Sequence, residues 1–133
     1  MEKPLYQKLG IKDGFKSGVI GFDGDYNQLI RSILPVLRYS DFNLLTDENY
    51  NFIHIFTNDL TVLQNSMKWL KTRIVSNGMI WYSWYKSSSK KQKNVNEGVI
   101  RDTALALGLV DIKVCSINSD WSGLKLVIPI KNR

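Results

Sequence analysis

VDIKVCSINSDWSGLKLVIPI, residues 110–130, holds two runs that alternate with period two. Val110, Ile112 and Val114 fall on one face of the first run, and Leu124, Leu126, Ile128 and Ile130 on one face of the second. Asn118 to Gly123 is too short a connection for a crossover, so the two strands are expected to form an antiparallel hairpin. Gly123 is expected to give the loop its backbone freedom, which leaves Trp121 as a large aromatic in a tight reversal.

Upstream of this hairpin, strands and helices alternate. SGVIGF (17–22) is a short apolar run between turn signals and reads as a buried strand. Leu29, Ile30, Ile33 and Leu34 recur at helical spacing after Asp23 and Asp25, either of which can cap, and Pro35 should stop that helix. DFNLLTDEN (41–49) predicts a weak strand and NFIHIFTN (51–58) a stronger one. In 59–78, Leu60, Leu63, Met67, Leu70 and Ile74 predict a helix that starts at Asn58 or Asp59 and stops at Asn77-Gly78. MIWYSWY (79–85) reads as a strand and 95–109 as a helix with Val99, Ile100, Ala104 and Leu107 inward. The order predicts an α/β, Rossmann-like three-layer sandwich: a mostly parallel sheet of about six strands ending in an antiparallel hairpin.

With 133 residues the chain is expected to be one domain, 1–133. Its 44% hydrophobic and 23% charged residues are ordinary for a globular protein, and no run has the length or apolarity of a membrane span. The N-terminus MEKPLYQKLG lacks a signal-peptide core, which predicts a cytoplasmic location. A single cysteine, Cys115, excludes an intrachain disulfide, and with a single histidine, His54, it excludes a Cys/His zinc pattern. The formal charge of +6 favours an anionic small molecule or an acidic protein partner. Nucleic acid is disfavoured, because much of the excess sits in KSSSKKQK (86–93) and the terminal KNR rather than along a helix.

Three stretches carry a resemblance: YQKLGIK (6–12), GMIWYSWYK (78–86) and VIRDTALALGLVDIKVCSINSDWSGLKLV (99–127). In these the chain resembles an uncharacterised bacterial domain family whose members look like a reduced class I S-adenosylmethionine-dependent methyltransferase fold. Where that family commonly has Trp-Pro-Lys-Lys, this chain has Trp84-Tyr85-Lys86-Ser87. The lead-in LGIKDGFKSGVIGF (9–22) is similar to the one before the first strand of those enzymes. The resemblance implies a strand order of 2-1-3-4-6-5 and a glycine-rich turn after the first strand, where backbone approaches the cofactor. Here that turn is GFDGDYNQL, with Gly21 and Gly24 followed by the bulk and charge of Asp25-Tyr26. S-adenosylmethionine is therefore expected to bind weakly or not at all. The resemblance also implies an acid after the second strand, for which Asp47 or Glu48 is available.

Ligands of open α/β sheets bind at the carboxyl ends of the strands. That edge selects Asp23, Gly24, Asn58, Lys86, Trp121 and Ser122 as ligand-binding candidates, with no catalytic or metal-ligating residue among them. Trp121 either stacks on a ligand or covers the end of the core. His54 lies between Phe52 and Phe56 within a strand and reads as a buried, hydrogen-bonded residue. Cys115 reads as a packing residue beside Asp111 and Lys113, away from Val110. The expected function is a non-catalytic binding or interaction module with a degenerate methyltransferase-like site. The alternative is an enzyme or ligand-binding protein that uses S-adenosylmethionine or another nucleotide-like ligand at this edge. A homodimer through a sheet edge is a third reading. An open groove at Asp23-Gly24 would favour a ligand there, and a groove filled by Tyr26 would favour the interaction module.

Overall fold

A computed structural model describes residues 3–87 and 94–133. In chain order its elements are α1 (Leu5–Leu9), β1 (Ser17–Ile20), α2 (Tyr26–Ile30), β2 (Leu37–Tyr39), β3 (Tyr50–Phe56), α3 (Leu60–Lys71), β4 (Ile74–Tyr85), α4 (Glu97–Ala106), β5 (Val110–Ser116) and β6 (Trp121–Val127). The six strands form one sheet in the order β2-β1-β3-β4-β6-β5. Pairings from β2 to β4 are parallel, and β6 is antiparallel to both β4 and β5. The expected order and terminal hairpin are both present.

Alternation along the strands gives each face its own core. Ile53, Ile55, Ile80, Tyr82, Leu124 and Leu126 share one face with Leu63, Met67 and Leu70 of α3 and Ile100 and Ala104 of α4. Phe52, Phe56 and Trp81 share the other with Leu9 of α1 and Tyr26 and Ile30 of α2. The second layer is thin, since both of its helices have five residues.

Several boundaries differ from the sequence reading. α2 is capped by Asp25, whose carboxylate accepts from Gln28 N at 3.1 Å, but it stops well before Pro35. Arg31 takes a left-handed conformation (φ 56°), and Asn27 Nδ2 donates to the carbonyls of Ser32 and Leu34 at 2.8 Å each. These side-chain bonds compete with continued helix, and Ile33 is left fully exposed. The second strand is Leu37–Tyr39, and the weak run after it holds a 3-10 turn over Phe42–Leu44 instead. A three-residue strand has too little pattern to read.

α3 ends at Lys71, and Ile74, expected on that helix, opens β4 opposite Tyr50. The register then moves from Tyr50–Ile74 to Phe52–Met79, so the Asn77-Gly78 signal marks an irregularity inside β4. A Cβ on Gly78 would stand 3.0 Å from the carbonyl oxygens of Tyr50 and Val75. β6 begins at Trp121 and ends at Val127, so Ile130 does not extend its apolar face but lies 80% exposed in a 3-10 turn. In β5 the pairing moves from Asp111–Leu126 to Lys113–Lys125, which leaves Ile112 unpaired in a bulge. The bulge overturns the expected alternation. Val110, Lys113 and Cys115 share one face, and Asp111 and Val114 share the other.

Candidate functional site

Two short devices bring the strand ends together at the carboxyl edge. Gly21 has φ 79°, and a Cβ there would lie 2.8 Å from the Phe56 carbonyl oxygen, so glycine lets the turn after β1 close against the end of β3. Asn58 Oδ1 accepts from Tyr85 N at 2.8 Å, which ties the end of β3 to the end of β4.

The hairpin turn is made by Asn118, not by Gly123. Asn118 Oδ1 accepts from the backbone N–H groups of Asp120 and Trp121, both at 2.9 Å, and Ile117 N donates to the Trp121 carbonyl. An Asx turn of this kind needs no glycine. Gly123 lies within β6 instead, where a Cβ would meet Ile117 and Trp81 at 3.1 Å and Ser83 Oγ at 3.2 Å. Its role is close packing rather than chain reversal. Lys86 N donates to the Asp120 carbonyl at 2.8 Å, so the loop stands beside Lys86 at the carboxyl edge as expected.

A cleft of about 560 Å³ opens there, lined among others by Gly21, Phe22, Asp23, Gly24, Asp59 and Trp121. Its wall is aromatic. Trp121 meets Phe56 edge-on at 5.1 Å between centroids and tilts over Tyr85 at 4.4 Å, and Phe22 lies 4.8 Å from Phe56. Its charged groups among the described residues are all acidic, beside the neutral Thr57, Asn58 and Asn118. Asp23 is exposed, Asp59 caps α3 by accepting from Thr61 N and Val62 N, and Asp120 lines the rim. Among the described residues, no lysine or arginine lines this cleft.

Tyr26 does not fill the groove. It is fully buried beneath it, and its hydroxyl pairs with His54 Nδ1 at 2.7 Å. His54 Nε2 pairs in turn with Ser83 Oγ at 2.7 Å, and Phe56 stacks on the imidazole at 4.1 Å. Burial lowers the His54 pKa to about 3 and raises that of Tyr26, so both are neutral over the physiological range. The network is a satisfied polar core under the cleft floor, as expected for His54.

The six sequence candidates divide between two sides of the sheet. Asp23, Gly24, Asn58 and Trp121 line the acidic cleft. Lys86 and Ser122 lie in a second hollow of about 610 Å³ on the α4 side, with Trp84, Asn96 and Glu97. The split follows from pleating, because Trp84 pairs with Ser122 on one face and Tyr85 with Trp121 on the other. Lys86 Nζ donates to Ser116 Oγ at 2.6 Å. Residues 88–93, with Lys90, Lys91 and Lys93 of the basic run, lie outside the described residues.

Asp47 and Glu48 are corrected. They precede β3 at the amino edge, where Asp47 pairs with Lys16, and that hydrogen bond lowers its pKa. With β2 ending at Tyr39, the first acid beyond its carboxyl end is Asp41. Sequence reasoning passed over Phe22, Phe56 and Asn118 as site residues. Their signal was position alone, at the end of a strand or two residues beyond it. Among the described residues, no three His, Cys, Asp or Glu side chains group to hold a metal ion.

No protein-family model matches the chain, and no curated protein does. Solved structures do match. A TehB-like SAM-dependent methyltransferase from Corynebacterium glutamicum is similar over 92% of this chain and 85% of its own, at TM-score 0.63 and 9% identity. A SAM dependent methyltransferase from Aquifex aeolicus is similar over 92% and 87%, at TM-score 0.64 and 15% identity. The fold is methyltransferase-like. Magnesium protoporphyrin IX methyltransferase from Synechocystis, with bound SAH, shares it over 93% of this chain and 78% of its own, at TM-score 0.63 and 10% identity. At such identities the likeness is one of architecture, and it agrees with the order β2-β1-β3-β4-β6-β5. None of the described helices is long and apolar enough to cross a membrane.

Proposed function

We propose that this methyltransferase-like fold serves as a small-molecule-binding module whose carboxyl-edge cleft takes a cationic ligand with a flat aromatic or nucleoside part. The observation that carries the reading is the open groove at Asp23-Gly24, acidic at Asp23 and Asp59 and walled by Trp121, Tyr85 and Phe22. Two carboxylates favour a positive charge, and aromatic faces favour a planar group or a cation. S-adenosylmethionine, with a sulfonium, an ammonium and an adenine, is the reference ligand of this class. The solved structures of similar fold include SAM-dependent methyltransferases, which supports choosing it.

Among the described residues, the cleft has no histidine for proton transfer. The chain's one histidine lies under Phe56 with both ring nitrogens bonded. Modest affinity is expected, because Phe22 takes space beside the turn: its ring would be 2.9 Å from a Cβ on Gly24. Methyl transfer is the second reading, favoured by the same fold likeness.

Calorimetric titration with S-adenosylmethionine and S-adenosylhomocysteine tests this. The charged sulfonium compound should bind more tightly than the neutral thioether, less so as salt rises, and less to Asp23→Asn. No heat with either compound at millimolar concentration, or binding indifferent to both Asp23→Asn and Trp121→Ala, would reject it. Turnover of the methyl group would favour the second reading.

A further inference from the structure

Positive charge collects on the α1 side of the β5–β6 hairpin, well away from the acidic cleft. Lys113 and Lys125 are direct partners across the two strands, so both side chains leave the same face with Cβ atoms roughly 5 Å apart. Like charges set opposite in this way repel. The pairing exists because of the bulge at Ile112. Strict alternation from Val110–Val127 would have placed Ile112 opposite Lys125 and sent Lys113 to the other face.

Residues before β1 add to the cluster. The Lys125 ammonium lies 4.0 Å from where a Cβ on Gly10 would stand, so this half-buried side chain reaches the end of α1. Lys113 Nζ donates to the Lys8 carbonyl at 2.9 Å. Burial, with the charges of Lys113 and Lys12, lowers the Lys125 pKa. Among the described residues, none of Lys8, Lys12, Lys113 and Lys125 forms an ion pair. Asp13 adjoins Lys12 without pairing to it, and Asp111 bonds Arg101 on the opposite face of the sheet.

We propose that Lys113 and Lys125, beside the Lys8–Gly10 segment, form the centre of a binding site for a phosphate-bearing anion, with Lys12 two residues further along the chain. Two adjacent ammonium groups suit a ligand with more than one negative charge and several acceptor oxygens, which a single carboxylate does not provide. The site is separate from the cleft. Lys125 pairs with Trp81 and Trp121 with Tyr85, four residues apart along β6, or about 13 Å.

Inorganic pyrophosphate titrated into the ¹⁵N-labelled full chain tests the site, against sodium chloride at equal ionic strength. Saturable amide shifts at Gly10, Lys12, Lys113 and Lys125 are expected with pyrophosphate only. They should survive Asp23→Asn, and Lys113→Gln with Lys125→Gln should weaken binding at least tenfold. A short oligouridylate in parallel separates the sources. Tighter binding with a steep salt dependence assigns a polynucleotide backbone, and equal or weaker binding assigns a small phosphate compound. Shifts that chloride reproduces, shifts confined to residues 86–93, or unchanged affinity in the double variant would overturn the proposal. If the double variant does not fold, the wild-type shift map decides.

Discussion

Tyr85 and Trp121 stand directly opposite each other across β4 and β6, with ring centroids 4.4 Å apart. This pair puts Trp121 in the first position of a strand rather than in the loop, and makes it a wall of the cleft. It also touches the buried face, edge-on to Phe56. The two readings of Trp121, ligand stacking and core cover, are therefore not exclusive.

Trp121→Ala should destabilise the fold by about 1–2 kcal/mol, less than truncation of a fully buried aromatic. Trp81→Ala is the internal reference. Trp81 is fully buried and its Nε1 donates to the Leu9 carbonyl at 3.0 Å, so about 3–5 kcal/mol is expected. Urea denaturation of both variants checks the ratio. Equal losses would make Trp121 a core residue alone.

The pH dependence of stability should carry the signature of His54. Its folded pKa, about 3, lies below the unfolded value near 6.5. Between them the unfolded chain binds the extra proton, so stability rises with pH across this window and levels off above about 7. The slope from one such group approaches roughly 1.4 kcal/mol per pH unit. Asp47 and Asp111 also lower their pKa on folding, but from 3.8, so their contribution is lost at lower pH. Denaturation midpoints from pH 4.5 to 6.5 should slope in the wild type and flatten in His54→Gln.

Two glycines should resist alanine for different reasons. Gly21→Ala sets a Cβ against the Phe56 carbonyl in a backbone conformation with φ 79°, and more than about 2 kcal/mol should be lost. Gly123→Ala meets Ile117, Trp81 and Ser83 at 3.1–3.2 Å, which costs about 1–3 kcal/mol as overpacking. Only the first should also change ligand binding, since Gly21 lines the cleft. Thermal melts with a binding assay separate the two.

The cleft carboxylates should be separable by stability. Asp59 caps α3 through Thr61 N and Val62 N, so Asp59→Ala should cost about 1 kcal/mol. Asp23 is exposed and makes no such bond, so Asp23→Ala should stay within about 0.5 kcal/mol. Both should weaken a cationic ligand, as calorimetry can measure.

Much of the architecture was legible in the sequence, because the signals are local. The alternation of Leu124 and Leu126, the helical spacing of Leu63, Met67 and Leu70, and the short connection after Ile117 each depend on neighbouring residues. They are enough to give the alternation of strands and helices, the terminal hairpin and the carboxyl edge to which Asp23 and Trp121 belong. Burial of His54 was legible for the same reason, since it sits between Phe52 and Phe56 in a clear strand.

Tertiary structure decided what depends on contacts between distant segments. β2 is three residues long and exists because it pairs with β1, so its own residues do not announce it, and the acids of the next loop were assigned to the wrong edge. The bulge at Ile112 is set by register against β6, and it alone puts Lys113 beside Lys125. Gly123 reads as a turn glycine, yet its need for hydrogen in place of a side chain comes from Trp81 and Ser83 on another strand. Pleating then divided Lys86 and Ser122 from Trp121. Which face of a sheet a residue takes depends on pairing summed along the whole strand, and one unpaired residue reverses it.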